Sequence, residues 1–328
     1  MVERRPEDRG APQFTDASPL PDSKAVLALS LLTLLGMEIW LWLALGHNLF
    51  QSGWSLWLAI VLPMMLALLW RAIFVAISFA VAGVWLSAGA GTRGDRLRAW
   101  HGEFWAQLRL YTWIQPLLAL ERSPRAAWQR SGHVPVVLVH GFLCNAGVFS
   151  GFIRGLRKRG VDGIFAVNLD PLYRDMPASL ALFHHKLQRI LRRCNARSAV
   201  LVGHSMGGVL VRLYRSSHPD NVAAACAIGA PHHGTLGAKL IGGGRERGPP
   251  SPTSIWLQRY NTDHQADCGL LNIWSAADNI VWPQTSAQLH SANELRLTGF
   301  GHLHLLQSPV VRDAVARLIR ETSITTTP

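Results

Sequence analysis

The stretch Val200-Leu-Val-Gly-His-Ser-Met-Gly-Gly208 constrains this chain more than any other. The apolar run from Ala199 to Val202 reads as a buried strand, and Met206 to Arg215 can continue as a helix with Val209, Leu210 and Leu213 turned inward. Between them, Gly203, Ser205 and Gly207 make the pattern G-x-S-x-G. The glycines let strand and helix approach with no Cβ in the way. The serine sits on a strained turn that lifts its hydroxyl clear of the sheet. The new helix points its positive end at that hydroxyl.

A serine hydroxyl becomes a useful nucleophile only when a base takes its proton and a third group orients the base. Downstream, Leu271 to Ser275 reads as a strand that hands Asp278 to the loop beyond it, and Glu294 to Thr298 reads as another that hands over His302. In an open parallel sheet the site lies beyond the carboxyl ends of the strands, so both residues reach the edge that carries Ser205. Upstream, the strand Val134–Val139 ends in His140-Gly-Phe-Leu143. Two N–H donors are needed for an oxyanion, and Met206, just after the serine, and Phe142, in this earlier loop, are the candidates. Further strands are expected at Ile164–Asn168 and Ala223–Ile228, with helices near Ala146–Arg157, Ser179–Arg193, Met206–Ser216 and Pro309–Glu321.

Val139-His-Gly-Phe142, Gly203-His-Ser-Met-Gly207, Gly229-Ala-Pro-His-His-Gly-Thr235, Ser275-Ala-Ala-Asp278 and Gly301-His-Leu-His-Leu-Leu-Gln-Ser-Pro309 together resemble the bacterial triacylglycerol lipases and related esterases of the α/β-hydrolase superfamily, over roughly residues 133 to 320. The resemblance implies an α/β fold with a mostly parallel, doubly wound sheet. It also implies Ser205 as nucleophile, Asp278 and His302 as its triad partners, and Phe142 and Met206 as oxyanion donors. It implies a lid as well, here a short span at about 236–263 with Gly242-Gly-Gly244 and Pro249-Pro250, which suits short or medium acyl chains as well as long ones. No cofactor is required. An acyltransferase or thioesterase on the same triad, or a non-catalytic membrane scaffold that binds lipid, are the competing readings.

Other residues have plainer readings beside the sharper ones. Asp278 is also a natural turn or cap residue. His304 competes with His302 for the role of base, and the family pattern of a histidine directly after glycine favours His302. Adjacent His232 and His233 point apart and have no acidic or cysteine partners at ligand spacing, so they are expected to line the cleft or orient a loop, not to hold metal. His140 and His204 are expected to serve as buried hydrogen-bonding neighbours. Arg154, Arg157, Lys158 and Arg159 read as a solvated helix face, or as a contact for phospholipid headgroups.

The front of the chain is of a different kind. Residues 1–24 are polar and read as a disordered tail. Residues 25–88 hold two apolar runs, Ala25–Leu45 and Trp54–Ser87, each meeting the roughly 20 residues needed to cross a bilayer, joined by a turn-like stretch and flanked by Trp40, Trp42, Trp54 and Trp57. Two transmembrane helices are expected, with Glu38 and Arg71 either facing each other or reaching opposite surfaces. Arg4, Arg5, Arg9 and Lys24 precede the hairpin, Arg93, Arg96 and Arg98 follow it, and the connecting loop has no Lys or Arg. That asymmetry puts both ends, and residues 131–328 as the catalytic domain, on the cytoplasmic side of a bacterial inner membrane.

Residues 89–130, with Trp100, Phe104, Trp105, Leu108, Tyr111 and Trp113, are expected to form an amphipathic linker helix that either lies on the bilayer or covers the catalytic core. A formal net charge of +12 suits an anionic membrane surface. Its arginines are scattered and no binding motif accompanies them, so nucleic acid is not an expected partner. The expected partners are an ester or lipid substrate and the bilayer. Cys144, Cys194, Cys226 and Cys268 show no paired spacing, which fits free thiols. The oligomeric state is not legible.

Overall fold

The computed structural model describes residues 23–117, 134–169, 176–240, 250–261 and 267–325. The expected tail, apart from Ser23 and Lys24, lies outside the described residues, as do 118–130 of the linker region and 241–249 and 262–263 of the lid.

Among the described residues, six strands form one parallel sheet in the order β2-β1-β3-β4-β5-β6. They are β1 (Val136–Val139), β2 (Ile164–Val167), β3 (Ala199–His204), β4 (Val222–Ile228), β5 (Leu270–Ser275) and β6 (Asn293–Leu297). The central strands are buried on both faces, which is why they read as unbroken apolar runs and not as alternating ones. Along β1, Val136 and Leu138 enter one core, while Val137 and Val139 enter the other. The first core is covered by α4 (Ser150–Arg157) and α8 (Pro309–Thr325). The second is covered by α5 (Met176–Cys194) and α6 (Met206–Ser217), and Leu257 of the short α7 (Ile255–Tyr260) joins it. Phe183, Leu187, Ile190, Leu191 and Cys194 form the buried stripe of α5, recurring at helical spacing. The chain leaves β1 toward β2 on one side and returns to β3 on the other. That reversal opens a crevice at the carboxyl ends of the strands.

Two features of this domain depend on residues far apart in sequence. Arg212 on α6 makes a bidentate pair with Asp267, at 2.5 and 2.8 Å, and both side chains are almost fully buried. At the exposed edge, β6 carries Glu294 and Arg296, and the Arg296 guanidinium lies 5.6 Å from the Trp274 ring centroid. Charged side chains there discourage another strand from pairing with the edge.

The N-terminal part is a pair of helices packed on each other, α1 (Ser23–Gln51) and α2 (Leu56–Val81). By length and composition, Leu27–Gln51 and Leu56–Val81 are each apolar enough to cross a membrane, and few of their residues are buried within the protein. Gly46 lets the helices close up, since a Cβ there would sit 2.5 Å from the Ala59 carbonyl oxygen. Of the two expectations for Glu38 and Arg71, the structure has them face each other: the guanidinium donates to both carboxylate oxygens, with a 3.2 Å bond from Nε to Oε1.

The second apolar run does not continue as one helix to Ser87. It stops at Val81, where Gly83 takes φ +70°. Val84 N–H then donates to Phe79 O at 2.9 Å and Gly83 N–H to Ala80 O at 3.0 Å, a Schellman closure that needs glycine at this position. Val84 is thereby buried with Val75, Phe79, Ala82, Ala99 and Ala277, so the end of α2 docks on the sheet domain. Helix α3 (Arg93–Arg109) follows, begun by a capping box between Thr92 and Asp95, and runs on through a π-helical turn at Leu110–Ile114. Its Trp100 indole donates to Ala72 O of α2 at 3.3 Å, and its Ala106, with Leu110 just beyond it, enters the core under α8.

Candidate active site

Ser205 stands at the tip of the turn between β3 and α6 with φ +56° and ψ −126°. A non-glycine residue adopts such a backbone only under constraint, and the constraints are visible. Its N–H is held by Ile228 O at 2.8 Å. A Cβ on Gly203 would come within 2.1 Å of Gly207 O, and one on Gly207 within 2.2 Å of Val139 O. Gly141 faces the serine side chain, its ideal Cβ falling 2.6 Å from Ser205 Cβ. The glycines therefore exist to let three backbones converge on one hydroxyl.

Asp278 follows β5 and is buried. Its Oδ1 accepts from Ile280 N–H and Val281 N–H, both at 2.8 Å, and its Oδ2 faces His302 Nδ1 at 2.8 Å. Two amides fix the carboxylate so that its remaining oxygen is presented to the imidazole. The loops after β5 and β6 are tied by Ser275 Oγ, which donates to Phe300 O at 2.6 Å. His302 in turn lines the same cavity as Ser205. Burial works against charging His302, but the Asp278 carboxylate, by charge and by hydrogen bond, and Glu103 behind it more than offset this, so its pKa lies above the usual 6.5.

Phe142 occupies the turn after β1, closed by Cys144 N–H to Gly141 O at 3.3 Å. Met206 opens α6, so its N–H is among those no carbonyl within the helix can reach. Both residues border a cavity that also contains Ser205. His140 and His204 are buried hydrogen-bonding neighbours. His140 Nδ1 donates to Gly141 O at 2.9 Å and its Nε2 accepts from Leu169 N–H at 3.0 Å. His204 Nε2 donates to His302 O at 3.2 Å, and burial, with His302 nearby, holds it neutral far below the usual range. His232 faces Asn272 Oδ1 at 3.2 Å and lines neither of the cavities that contain Ser205. His304 lies on a 3-10 turn (His304–Gln307) ahead of α8, its ring against Gly102 of α3, and burial pushes its pKa down to about 4. Among the described residues, no group of three His, Cys, Asp or Glu side chains is placed to hold a metal ion.

Sequence reading missed Glu103 and Asn279. Glu103 is wholly buried on α3, and its Oε2 accepts the His304 N–H at 2.9 Å while its carboxylate presses against the backbone of Gly301. Burial pushes its pKa up, against the backbone hydrogen bond and the charge of His302. Ala99, Glu103, Ala106 and Leu110 recur at helical spacing, and the acid in that otherwise apolar stripe was the available signal. Asn279 accepts from His302 N–H at 3.1 Å and donates to Ser78 Oγ of α2 at 2.8 Å. No pattern in the sequence announces that bridge.

A strand-delivered serine on a glycine-lined elbow, with an Asp–His pair in the loops beyond the carboxyl ends of a parallel sheet, defines the α/β-hydrolase fold, and this chain has that fold. The family model for the alpha/beta hydrolase fold matches residues 134–245. A triacylglycerol lipase of Vibrio cholerae is 29% identical over 114 residues, 33% of this chain and 36% of that protein. The match thus spans about a third of that relative's length. Among solved structures, lipase B of Aspergillus fumigatus superposes with a TM-score of 0.52 at 17% identity, over 63% of this chain and 57% of that one. A Bacillus licheniformis lipase in its mature form gives 0.47 at 18%, over 58% and 93%.

Proposed function

We propose that the protein is a membrane-anchored serine hydrolase of carboxylic esters. The observation that carries the reading is the His302–Asp278 contact at 2.8 Å, with His302 on the wall of the cavity that holds Ser205. In the proposed reaction, Ser205 Oγ attacks the ester carbonyl carbon while His302 Nε2 takes its proton. The oxyanion is received by the Phe142 and Met206 N–H groups. The imidazolium, stabilised by Asp278, then gives its proton to the departing alkoxide, leaving an acyl group on Ser205. Water attacks the acyl carbonyl, passes its proton to His302, and the acid leaves as Ser205 recovers a proton from the same nitrogen.

Anchoring is supported by two apolar helices of spanning length whose large side chains are mostly exposed. The clustering of positive charge at both ends of the hairpin supports a cytoplasmic position for the sheet domain at the inner membrane. The test is turnover of p-nitrophenyl esters, from acetate to palmitate, by the detergent-purified full chain. Ser205→Ala should remove the activity, a loss on the order of 10⁴-fold or more. Equal turnover by Ser205→Ala and the natural chain would overturn the proposal.

A further inference from the structure

Helix α2 reaches past its own hairpin and into the site. Two cavities meet at Ser205, one of about 600 Å³ and one of about 430 Å³, and both include Phe74, Phe142 and Ile280 in their walls. The larger extends to Trp70, Glu38 and Arg71 and also touches Glu103. The smaller is almost wholly apolar and runs along Ile77, Val81 and Trp282. Trp70, Phe74, Ile77 and Val81 lie three or four residues apart, one stripe of α2 about 16 Å long at 1.5 Å per residue. These four are also among the exposed apolar side chains of the molecule, each more than half accessible. Beside that stripe, Val75, Phe79 and Ala82 dock the helix on the sheet domain, so the stripe forms the rim where both cavities open.

A residue that lines a reaction cavity and is also exposed on an apolar helix of spanning length has one consistent surrounding: hydrocarbon on the outer side and substrate on the inner. We infer that α2 is a wall of the acyl-binding site, and that the ester reaches Ser205 sideways from the bilayer. The acyl chain occupies the apolar cavity past Ile77 and Val81. The alcohol portion occupies the larger cavity, whose far end carries the polar groups of Glu38 and Arg71. The substrate class is therefore a bilayer-resident acyl ester of a polar alcohol. This inference rests on the proposed hydrolase reading.

The experiment compares laurate with butyrate p-nitrophenyl esters on the full chain. Ile77→Trp and Val81→Trp, which fill the apolar cavity, should lower the laurate-to-butyrate ratio of kcat/KM by about ten-fold or more. Ile77→Ala, which widens the cavity, should raise that ratio. Leu69→Trp, exposed on α2 but outside both cavities, should leave it unchanged. If the tryptophan variants fail to react with a small fluorophosphonate at Ser205, and so are misfolded, Ile77→Ala and Val81→Ala decide. Ratios equal to that of the natural chain in every folded cavity variant would overturn the inference and leave the hydrolase reading intact. Absence of Ser205-dependent turnover on any ester would overturn both. With dilauroylglycerol in vesicles, the rate should follow its mole fraction in the bilayer at fixed bulk concentration. A rate that follows bulk concentration alone would overturn sideways entry.

Discussion

Glu103 lies on α3, outside the sheet domain, yet it is packed against the loop that carries His302. It holds the loop of His302 by accepting from His304 N–H, and its charge joins that of Asp278 in favouring the imidazolium. The proposed mechanism needs neutral His302, so the raised pKa of that histidine should put the acid limb of kcat/KM above pH 6.5. Removing a nearby negative charge destabilises the imidazolium and must move the limb the other way. Glu103→Gln, which keeps the shape and one acceptor oxygen, is therefore expected to shift the acid limb of the pH profile to lower pH by a fraction of a unit. A residue that only supports the loop would change the plateau rate and leave the limb in place. The placement of Ser205, Asp278 and His302 at one edge of the sheet was legible because the elbow demands glycines at fixed spacing and because Asp278 and His302 each lie in the loop after a strand. Glu103 was not, because its relevance is created by α3 lying across a loop two hundred residues away.

At the scale of the elements, the helical hairpin is set by a pairing that no local rule provides. Glu38 and Arg71 are each about a quarter exposed, and each is costly in an apolar setting unless the other is opposite. Replacing either by Leu leaves its partner uncompensated, so Glu38→Leu or Arg71→Leu alone should cost about 2–3 kcal/mol, between the exposed and buried extremes for ion pairs. The double replacement should recover much of that loss, and thermal unfolding of the four proteins in detergent measures the coupling. The two residue types were visible in the sequence, but their register depends on where the connecting turn falls. The end of α2 was hidden for a related reason. Hydropathy continues to Ser87, whereas the backbone turns at Gly83 and carries Val84 into the docking cluster. The strands of the sheet had less ambiguity, since β1 to β4 are apolar runs bounded by glycine, proline or polar residues and β6 alternates polar with apolar side chains, and their bounds differ from expectation only at the ends.

For the molecule as a whole, the proposed orientation can be read with a reporter the chain already contains. Cys144, Cys194 and Cys226 are buried, while Cys268 is exposed on the sheet domain. In intact spheroplasts a membrane-impermeant maleimide should leave Cys268 unlabelled, and permeabilisation should expose it. Labelling before permeabilisation would place the sheet domain on the outer face.

The amide of Asn279 carries a broader meaning. One end holds the backbone of His302 and the other holds Ser78 of the hairpin. An ordinary tether can be exchanged for another without the enzyme noticing. Here a single side chain belongs to both halves, so neither half is an interchangeable part. A recombination that joined this hairpin to a different hydrolase domain would inherit half of a contact.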